Sequence, residues 1–153
     1  MCRYFLLVLL MVLGFHTASA DDDSMSPVGQ WKTVDDATGR IQAIMEIKEQ
    51  PDHTLAGTLV KTFPAPGSPP GGHVCSKCDK NDPRYNQPIL GMTVMNNFKN
   101  TGEFWTDGTI LDPMRGAVYR SRLKVVEEGK KLLVRGFILF PLLGRTQTWI
   151  RVT

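Results

Sequence analysis

The sequence predicts an all-β domain, a single antiparallel up-and-down barrel of eight strands. No segment after residue 20 sustains a 3.6-residue apolar repeat, whereas period-two alternation recurs along the chain. Turn residues interrupt this alternation at short intervals, as is typical of a meander of short strands. A closed barrel removes the exposed sheet edges that eight strands would otherwise carry, and a two-sheet sandwich is the competing architecture.

The N-terminal half supplies three predicted strands. The clearest is the second, in which Ile41, Ala43, Met45 and Ile47 share one face and polar or charged residues share the other. Turns rich in Asp, Gly and Pro bound the three segments. The predicted strands cover residues 30–34, 40–48 and 54–62.

The C-terminal half supplies five more strands. The last hairpin pair is marked by the Glu127-Glu128-Gly129 turn, and the strand after it is apolar on both faces, so we expect that strand to be central or covered. Asp107 and Asp112 are not interpreted as an acid/base pair, because Asp112-Pro113-Met114-Arg115-Gly116 reads as a hairpin turn. The predicted strands cover residues 89–95, 103–111, 117–125, 131–140 and 145–152.

One segment, residues 63–88, breaks the strand pattern. It is rich in Pro and Gly and contains Cys75 and Cys78. A loop of this length inside a compact domain is usually functional or disordered. We expect the cysteine pair to pin its middle.

The first twenty residues have the layout of a secretory signal peptide. Arg3 gives a positive start, residues 4–15 are apolar, and Ala18-Ser19-Ala20 offers small residues to a signal peptidase. The apolar run is too short to span a bilayer. We expect cleavage after Ala20, a flexible tail over residues 21–26, and one barrel domain over residues 27–153 in a periplasmic or secreted protein.

Size and charge limit the domain count and the partners. The roughly 130 residues that remain after cleavage fit one domain with a single core. The chain has 18 basic and 15 acidic residues, a net charge of +3. This near balance gives no support for nucleic-acid binding, which would call for a concentrated basic patch. We expect a monomer without a cofactor, a nucleic-acid partner or a membrane span.

The two ends of the predicted domain carry a related pair of motifs. Gly29-Gln30-Trp31 opens the first strand, and Trp149-Ile150-Arg151 lies in the last. This pair resembles the lipocalin and fatty-acid-binding superfamily of small barrels. The resemblance implies that Arg151 lies over Trp31 where the barrel closes, a cation–π contact of about 0.5–2 kcal/mol.

A longer series of motifs resembles a bacterial family of small exported proteins catalogued only as a domain of unknown function. The resemblance implies a Gram-negative periplasm and a lipocalin-like barrel, and it offers no activity or catalytic residues to transfer. The motifs follow one another through the chain as Gly29-x-Trp31, Gly57-Thr58-Leu59-Val60, Cys75-x-x-Cys78, Gly108-x-Ile110-x-Asp112-Pro113, Val134-Arg135-Gly136-Phe137 and Leu143-Gly144-Arg145-Thr146.

The Cys75-x-x-Cys78 motif allows three interpretations. In an oxidising compartment an isolated pair reads first as a structural disulfide. A thiol-redox centre would place the first cysteine at a helix N-terminus, and no amphipathic helix follows the motif. A metal site could use His73, Cys75 and Cys78, with His53 as a fourth ligand from a distant turn.

Aromatic and basic side chains are the candidate ligand-binding residues. An eight-stranded barrel can enclose one small ligand, and aromatic residues could line its cavity or simply fill the core. Arginines at the rim could bind a carboxylate or phosphate, or hydrogen-bond turn carbonyls instead. The candidates are Trp105, Tyr119, Phe137 and Trp149, together with Arg135 and Arg145.

These features favour a binding protein over an enzyme. The predicted domain has two histidines, both in predicted loops, and no Gly-x-Ser-x-Gly nucleophile motif. The leading expectation is non-covalent binding of a small apolar or amphipathic molecule in the barrel or at its mouth. An envelope protein–protein interaction module that uses loop 63–88, as an inhibitor or assembly factor, is the alternative. Thiol-redox or metal chemistry at the cysteine pair comes third.

Overall fold

Eight antiparallel strands, each paired with the next along the chain, close into one barrel. The computed structural model describes residues 25–69 and 72–153; the predicted signal peptide and residues 21–24 of the predicted tail lie outside them. The predicted fold class is therefore confirmed. The strands are β1 Gly29–Val34, β2 Ile41–Glu49, β3 Leu55–Thr62, β4 Thr93–Asn100, β5 Trp105–Asp112, β6 Ala117–Val126, β7 Lys131–Phe137 and β8 Arg145–Arg151.

The last strand closes the barrel by pairing with the first. Trp31 lies opposite Arg151, and Lys32 lies opposite Ile150. With that pairing, every strand has two neighbours and no strand is left as a sheet edge. The two-sheet sandwich is thereby excluded.

The connections divide the barrel into two unlike ends. The up-and-down order places the chain segments 35–40, 63–92, 113–116 and 138–144 at one end, which we call the loop end. The opposite end, the turn end, carries the N-terminal segment and three tight connections at residues 50–54, 101–104 and 127–130. The loop end therefore carries the longest connections of the barrel.

Large apolar side chains fill the barrel interior from the turn end to its middle. Trp31, Phe98, Leu123 and Leu132 are fully buried, and Trp149 is nearly so. Gly57 sits at a point of close approach, since a Cβ there would lie 2.8 Å from the Met95 sulfur and 3.1 Å from the Met45 sulfur. The half of the barrel next to the turn end is thus a packed core.

The fourth strand lies later in the chain than the alternation predicts. Residues 89–92 form a turn, in which the Met92 N–H donates to the Ile89 carbonyl and Gly91 has φ +84°. The strand then continues through Asn96 and Asn97, beyond the end of the predicted strand at residue 95. Asn97 has φ +63° at an irregularity in the β3–β4 register, and this bulge interrupts the alternation on which the prediction relied.

The seventh strand ends three residues before its predicted end. Ile138, Leu139 and Phe140 are exposed and lie beyond β7, followed by a 3-10 turn at Pro141–Leu143. The expectation that this apolar stretch is covered is therefore wrong for its last three residues. Gly144 allows the turn to fold back closely, since a Cβ there would lie 2.5 Å from the Gly136 carbonyl oxygen.

The segment around the cysteine pair folds against the β5–β6 turn. Cys75 and Cys78 are buried and joined by a disulfide. The Cys75 sulfur lies 3.3 Å from the Pro113 carbonyl oxygen. Leu111 points away from the barrel interior, because it alternates with the inward Ile110, yet it is only 3% exposed. We attribute its burial to this disulfide segment.

No helix in the described part of the chain is long and apolar enough to cross a membrane.

Candidate functional site at the loop end of the barrel

The turn end is sealed by the aromatic–arginine pair at the strand junction. The Trp31 indole N–H donates to the Pro27 carbonyl oxygen at 2.8 Å. The Arg151 guanidinium carbon lies 4.1 Å from the Trp31 ring centroid. A ligand would therefore have to enter from the loop end.

Inward-facing positions change from buried to half-buried towards the loop end. Leu123 and Val134 are buried, and Ser121 above them donates its hydroxyl to the Arg135 carbonyl oxygen at 3.0 Å. In each of the strands β5 to β8, the next inward-facing residue towards the loop end after the last buried one is half-buried, and we call these four residues the barrel mouth. These are Ile110, Tyr119, Gly136 and Gln147.

The barrel mouth has space for additional atoms. A Cβ built on Gly136 would meet the Tyr119 Cβ at 3.6 Å, an ordinary van der Waals contact, and no third residue within 4 Å. This contrasts with Gly57 and Gly108, where a Cβ would overlap methionine or phenylalanine atoms. Polar groups are also present, since the Gln147 side-chain oxygen accepts from the Trp149 indole N–H at 3.1 Å. The mouth thus combines room for a methyl group at Gly136 with a few polar groups.

Both candidate rim arginines are engaged by the protein itself. Arg145 forms an ion pair with Asp36 of the β1–β2 connection, with Nη2 2.8 Å from the carboxylate. Arg135 points to the outside of β7 and donates to the carbonyl oxygens of Pro141 and Leu142, at 2.5 and 3.1 Å. Arg135 therefore hydrogen-bonds turn carbonyls, whereas Arg145 pairs with a carboxylate. Of the two arginines, only Arg145 lies beside the mouth.

The four aromatic candidates are spread over different places. Trp149 is buried in the core. Trp105 is half-buried and packs against the core from the start of β5. Phe137 lies opposite Arg120 on the outer face, with the Arg120 guanidinium 5.7 Å from its ring centroid. Of the set, Tyr119 alone lies at the mouth.

The residues named for metal binding do not assemble into a site. The two cysteine sulfurs are bonded to each other, and His73 Nε2 lies 3.3 Å from the Ser68 hydroxyl. His53 is at the turn end, where Nδ1 lies 2.6 Å from Glu49. Among residues 25–69 and 72–153, no three His, Cys, Asp or Glu side chains are placed to hold a metal ion.

A separate depression lies on the outer side of the β3–β4 connection. Its volume is about 640 Å³, and its lining includes Pro88, Leu90, Met92 and Asn96. The Asp82–Arg84 ion pair borders it, with Arg84 Nη2 2.6 Å from the carboxylate. The Arg84 hydrogen bonds lower the pKa of Asp82 from its usual 3.8 to about 2.

Sequence reasoning missed the exposed apolar loop at residues 138–143. Alternation assigned its first half to a strand, because an apolar run by itself does not distinguish a strand from a loop. The signal that could have revealed it is Pro141, which ends ladder pairing, followed by Leu142-Leu143-Gly144 without alternation.

The closed eight-stranded up-and-down barrel, sealed at one end by a Gly-x-Trp and arginine pair, defines a lipocalin-like protein. A solved structure with the description "Protein HP1028 from the human pathogen Helicobacter pylori belongs to the lipocalin family" superposes with a TM-score of 0.68. The similarity covers 84% of this chain and 84% of that one, at 16% sequence identity, and so establishes the fold alone.

Residues 29–151 match the family described as "Uncharacterized protein conserved in bacteria (DUF2147)", and the chain belongs to this family. The resemblance to a bacterial family of unknown function is thereby confirmed. No curated protein matches the chain.

Proposed function

We propose that this protein is exported and binds a small apolar or amphipathic molecule, without covalent chemistry, at the barrel mouth. The observation that carries the proposal is the change along the inward face, from the buried Leu123 and Val134 to the half-buried Tyr119, Gly136 and Gln147. Because side chains fill the half of the barrel next to the turn end, a ligand cannot reach that half. The ligand therefore sits in the half next to the loop end.

The chemistry of the mouth favours an apolar body with a small polar group. Ile110 and the ring of Tyr119 supply apolar surface, and the Gln147 amide and the Tyr119 hydroxyl supply hydrogen-bonding groups. The Asp36 carboxylate already pairs with Arg145, so the net charge beside the mouth is small. A charged ligand group that needed Arg145 or Asp36 as its partner would have to break that ion pair.

Export is supported by the signal-like first twenty residues and by the disulfide between Cys75 and Cys78. Disulfides persist in oxidising compartments and are rare in the bacterial cytosol. Mass spectrometry of the protein from a periplasmic extract tests this part of the proposal. We expect a chain that begins at Asp21; an intact N-terminus in the cytoplasmic fraction would contradict export.

Native mass spectrometry of the chain that starts at residue 21, purified from periplasm, tests ligand binding. We expect a non-covalent adduct that leaves on unfolding, or uptake of a dansyl-labelled fatty acid added afterwards. G136V fills the mouth from a position where the added Cβ has room, so it should abolish the adduct and keep the barrel.

The matched control is V118A, which truncates the neighbouring outward side chain of β6, 53% exposed. This variant should retain the adduct. Absence of both adduct and dye uptake in the unmodified protein, or equal binding by G136V with an unchanged fold, would contradict the proposal.

A second candidate is a protein-binding role for the β3–β4 connection, favoured by the 640 Å³ depression and by Leu90, which is 57% exposed at its edge. The two roles separate experimentally. L90D should abolish capture of an envelope partner identified by cross-linking and leave dye uptake unchanged, whereas G136V should do the reverse.

A further inference from the structure

The most exposed apolar surface of the described chain is a protruding loop between β7 and β8. Ile138, Leu139, Phe140, Leu142 and Leu143 are between 64% and 87% exposed. They are consecutive apart from Pro141, and we call residues 138–143 the apolar loop. Contiguous apolar surface of this kind marks an interaction site in a folded protein.

The apolar loop is held in its exposed conformation by backbone contacts. The Arg135 guanidinium binds the Pro141 and Leu142 carbonyl oxygens and the Thr146 hydroxyl. The Leu143 N–H donates to the Phe140 carbonyl at 3.0 Å. Three carbonyl oxygens of the apolar loop, those of Phe140, Pro141 and Leu142, thus accept hydrogen bonds from within the protein, while the apolar side chains are exposed.

The strands that lead to the apolar loop form a basic outer face. β6, β7 and β8 contain Lys and Arg but no Asp or Glu, although carboxylates of neighbouring connections pair with Lys124, Lys131 and Arg145. Arg120 and Arg122 stack on the Phe137 and Phe104 rings, at 5.7 and 4.8 Å from the centroids. Within residues 25–69 and 72–153, no carboxylate pairs with Arg120, Arg122 or Arg135. Their positive charges remain available.

We propose that the apolar loop and the basic face of β6–β8 dock the protein on an anionic lipid surface. The loop side chains enter the boundary between headgroups and acyl chains. Arg120, which lies opposite Phe137 directly beside the apolar loop, is then at the level of the phosphates. In amphipathic membrane anchors, apolar side chains likewise enter the acyl region and neighbouring cations contact the anionic headgroups.

Charge complementarity argues against the apolar loop being a contact between two copies of the chain. A two-fold contact through the apolar loop would bring two basic faces together, and like charges directly opposed disfavour association. The docking proposal does not depend on ligand binding. Docking would nevertheless place the barrel mouth, which lies at the same end, next to the bilayer.

Co-sedimentation with vesicles tests the proposal, using the chain from residue 21 so that the apolar N-terminal segment is absent. We expect binding to phosphatidylcholine mixed with phosphatidylglycerol, weaker binding to phosphatidylcholine alone, and loss of the difference in high salt. An F140W variant should show blue-shifted emission and quenching by brominated acyl chains on the anionic vesicles.

Two sets of variants separate the apolar and the electrostatic parts. L142D should weaken binding to anionic vesicles by about tenfold or more, because a charge replaces an inserted leucine. R120Q should weaken it by about fivefold, and only on anionic vesicles. R122Q removes a cation that lies over Phe104 at the turn end, and it should bind as the unmodified protein does. The control is I150D, a substitution at the outward Ile150, 43% exposed at the turn end, and it should bind as the unmodified protein does.

Absence of vesicle binding, or unchanged binding by L142D with a retained fold, would overturn the proposal. So would a dimer in sedimentation velocity that L142D converts to a monomer without vesicle binding, because the apolar loop would then be a self-association surface. A G136V variant that loses ligand but still binds vesicles would leave docking intact and separate it from the proposed function.

Discussion

Arg151 connects three segments of the chain at the turn end of the barrel. Its guanidinium lies over the Trp31 ring and donates to the carbonyl oxygens of Gly129, Val28 and Ser26, at 2.5, 3.0 and 2.7 Å. The short motifs at the two ends of the domain suggested the stacking partner. The three carbonyl contacts could not be anticipated, since any backbone oxygen is equivalent at the level of sequence.

We expect R151A to lower the free energy of unfolding by about 2–4 kcal/mol, because the cation–π contact is lost and three carbonyls lose a charged donor. Urea unfolding followed by tryptophan fluorescence measures it. R122A is the control, since its guanidinium also stacks on a ring but has no such carbonyl contacts, and it should cost less than about 1 kcal/mol. Equal losses in the two variants would contradict this role of Arg151.

Asp82 should make stability depend on pH in the acid range. Its pKa is lowered to about 2, first by the side-chain hydrogen bonds from Arg84 and then by the Arg84 backbone N–H. A depressed carboxylate pKa adds stability above the unfolded value near 3.8, and this contribution is lost as the pH falls from about 4 to about 2. In thermal melts, D82N should show a shallower fall in Tm over that window; an identical pH profile would contradict the assignment.

At the scale of elements, alternation identified β2 and β6 almost to the residue but misplaced β4 and extended β7. In β2 and β6, buried inward residues alternate with half-buried or exposed outward residues, so the sequence pattern follows the burial directly. β4 contains a bulge at Asn97, and the apolar residues after Phe137 are exposed rather than paired. The bulge leaves no mark in residue type that distinguishes it from an ordinary strand, and the early end of β7 is signalled only by Pro141, beyond the apolar residues concerned.

The β5–β6 turn and the disulfide segment are packed too closely for a side chain at Gly116. A Cβ there would lie 1.8 Å from the Lys77 carbonyl oxygen. Gly39 has the same φ of +69° and nothing within 4 Å, so it is a matched control for the backbone strain alone. We expect G116A to be destabilised by at least about 2 kcal/mol more than G39A in urea unfolding. Equal effects would mean that the disulfide segment can move away without cost.

At the scale of the whole molecule, the sequence predicted the closed eight-stranded barrel. The spacing of turns indicated the number of strands, and the motifs at the two ends of the domain indicated where the barrel closes. The candidate site was predicted only in part. Tyr119 lies at the mouth, whereas Phe137 faces outward and Trp149 is in the core. Which inward positions are covered depends on how loops 63–92 and 138–144 fold, and that depends on contacts distant in sequence.

The most direct test of the ligand-binding account is an NMR titration of the isotope-labelled chain from residue 21 with a dansyl-labelled fatty acid, read at the backbone amides. The account predicts saturable shifts centred on Ile110, Tyr119, Gly136 and Gln147, and their loss in G136V. Shifts confined to the depression around Leu90, or to the apolar loop, or no shifts at all, would contradict binding at the barrel mouth.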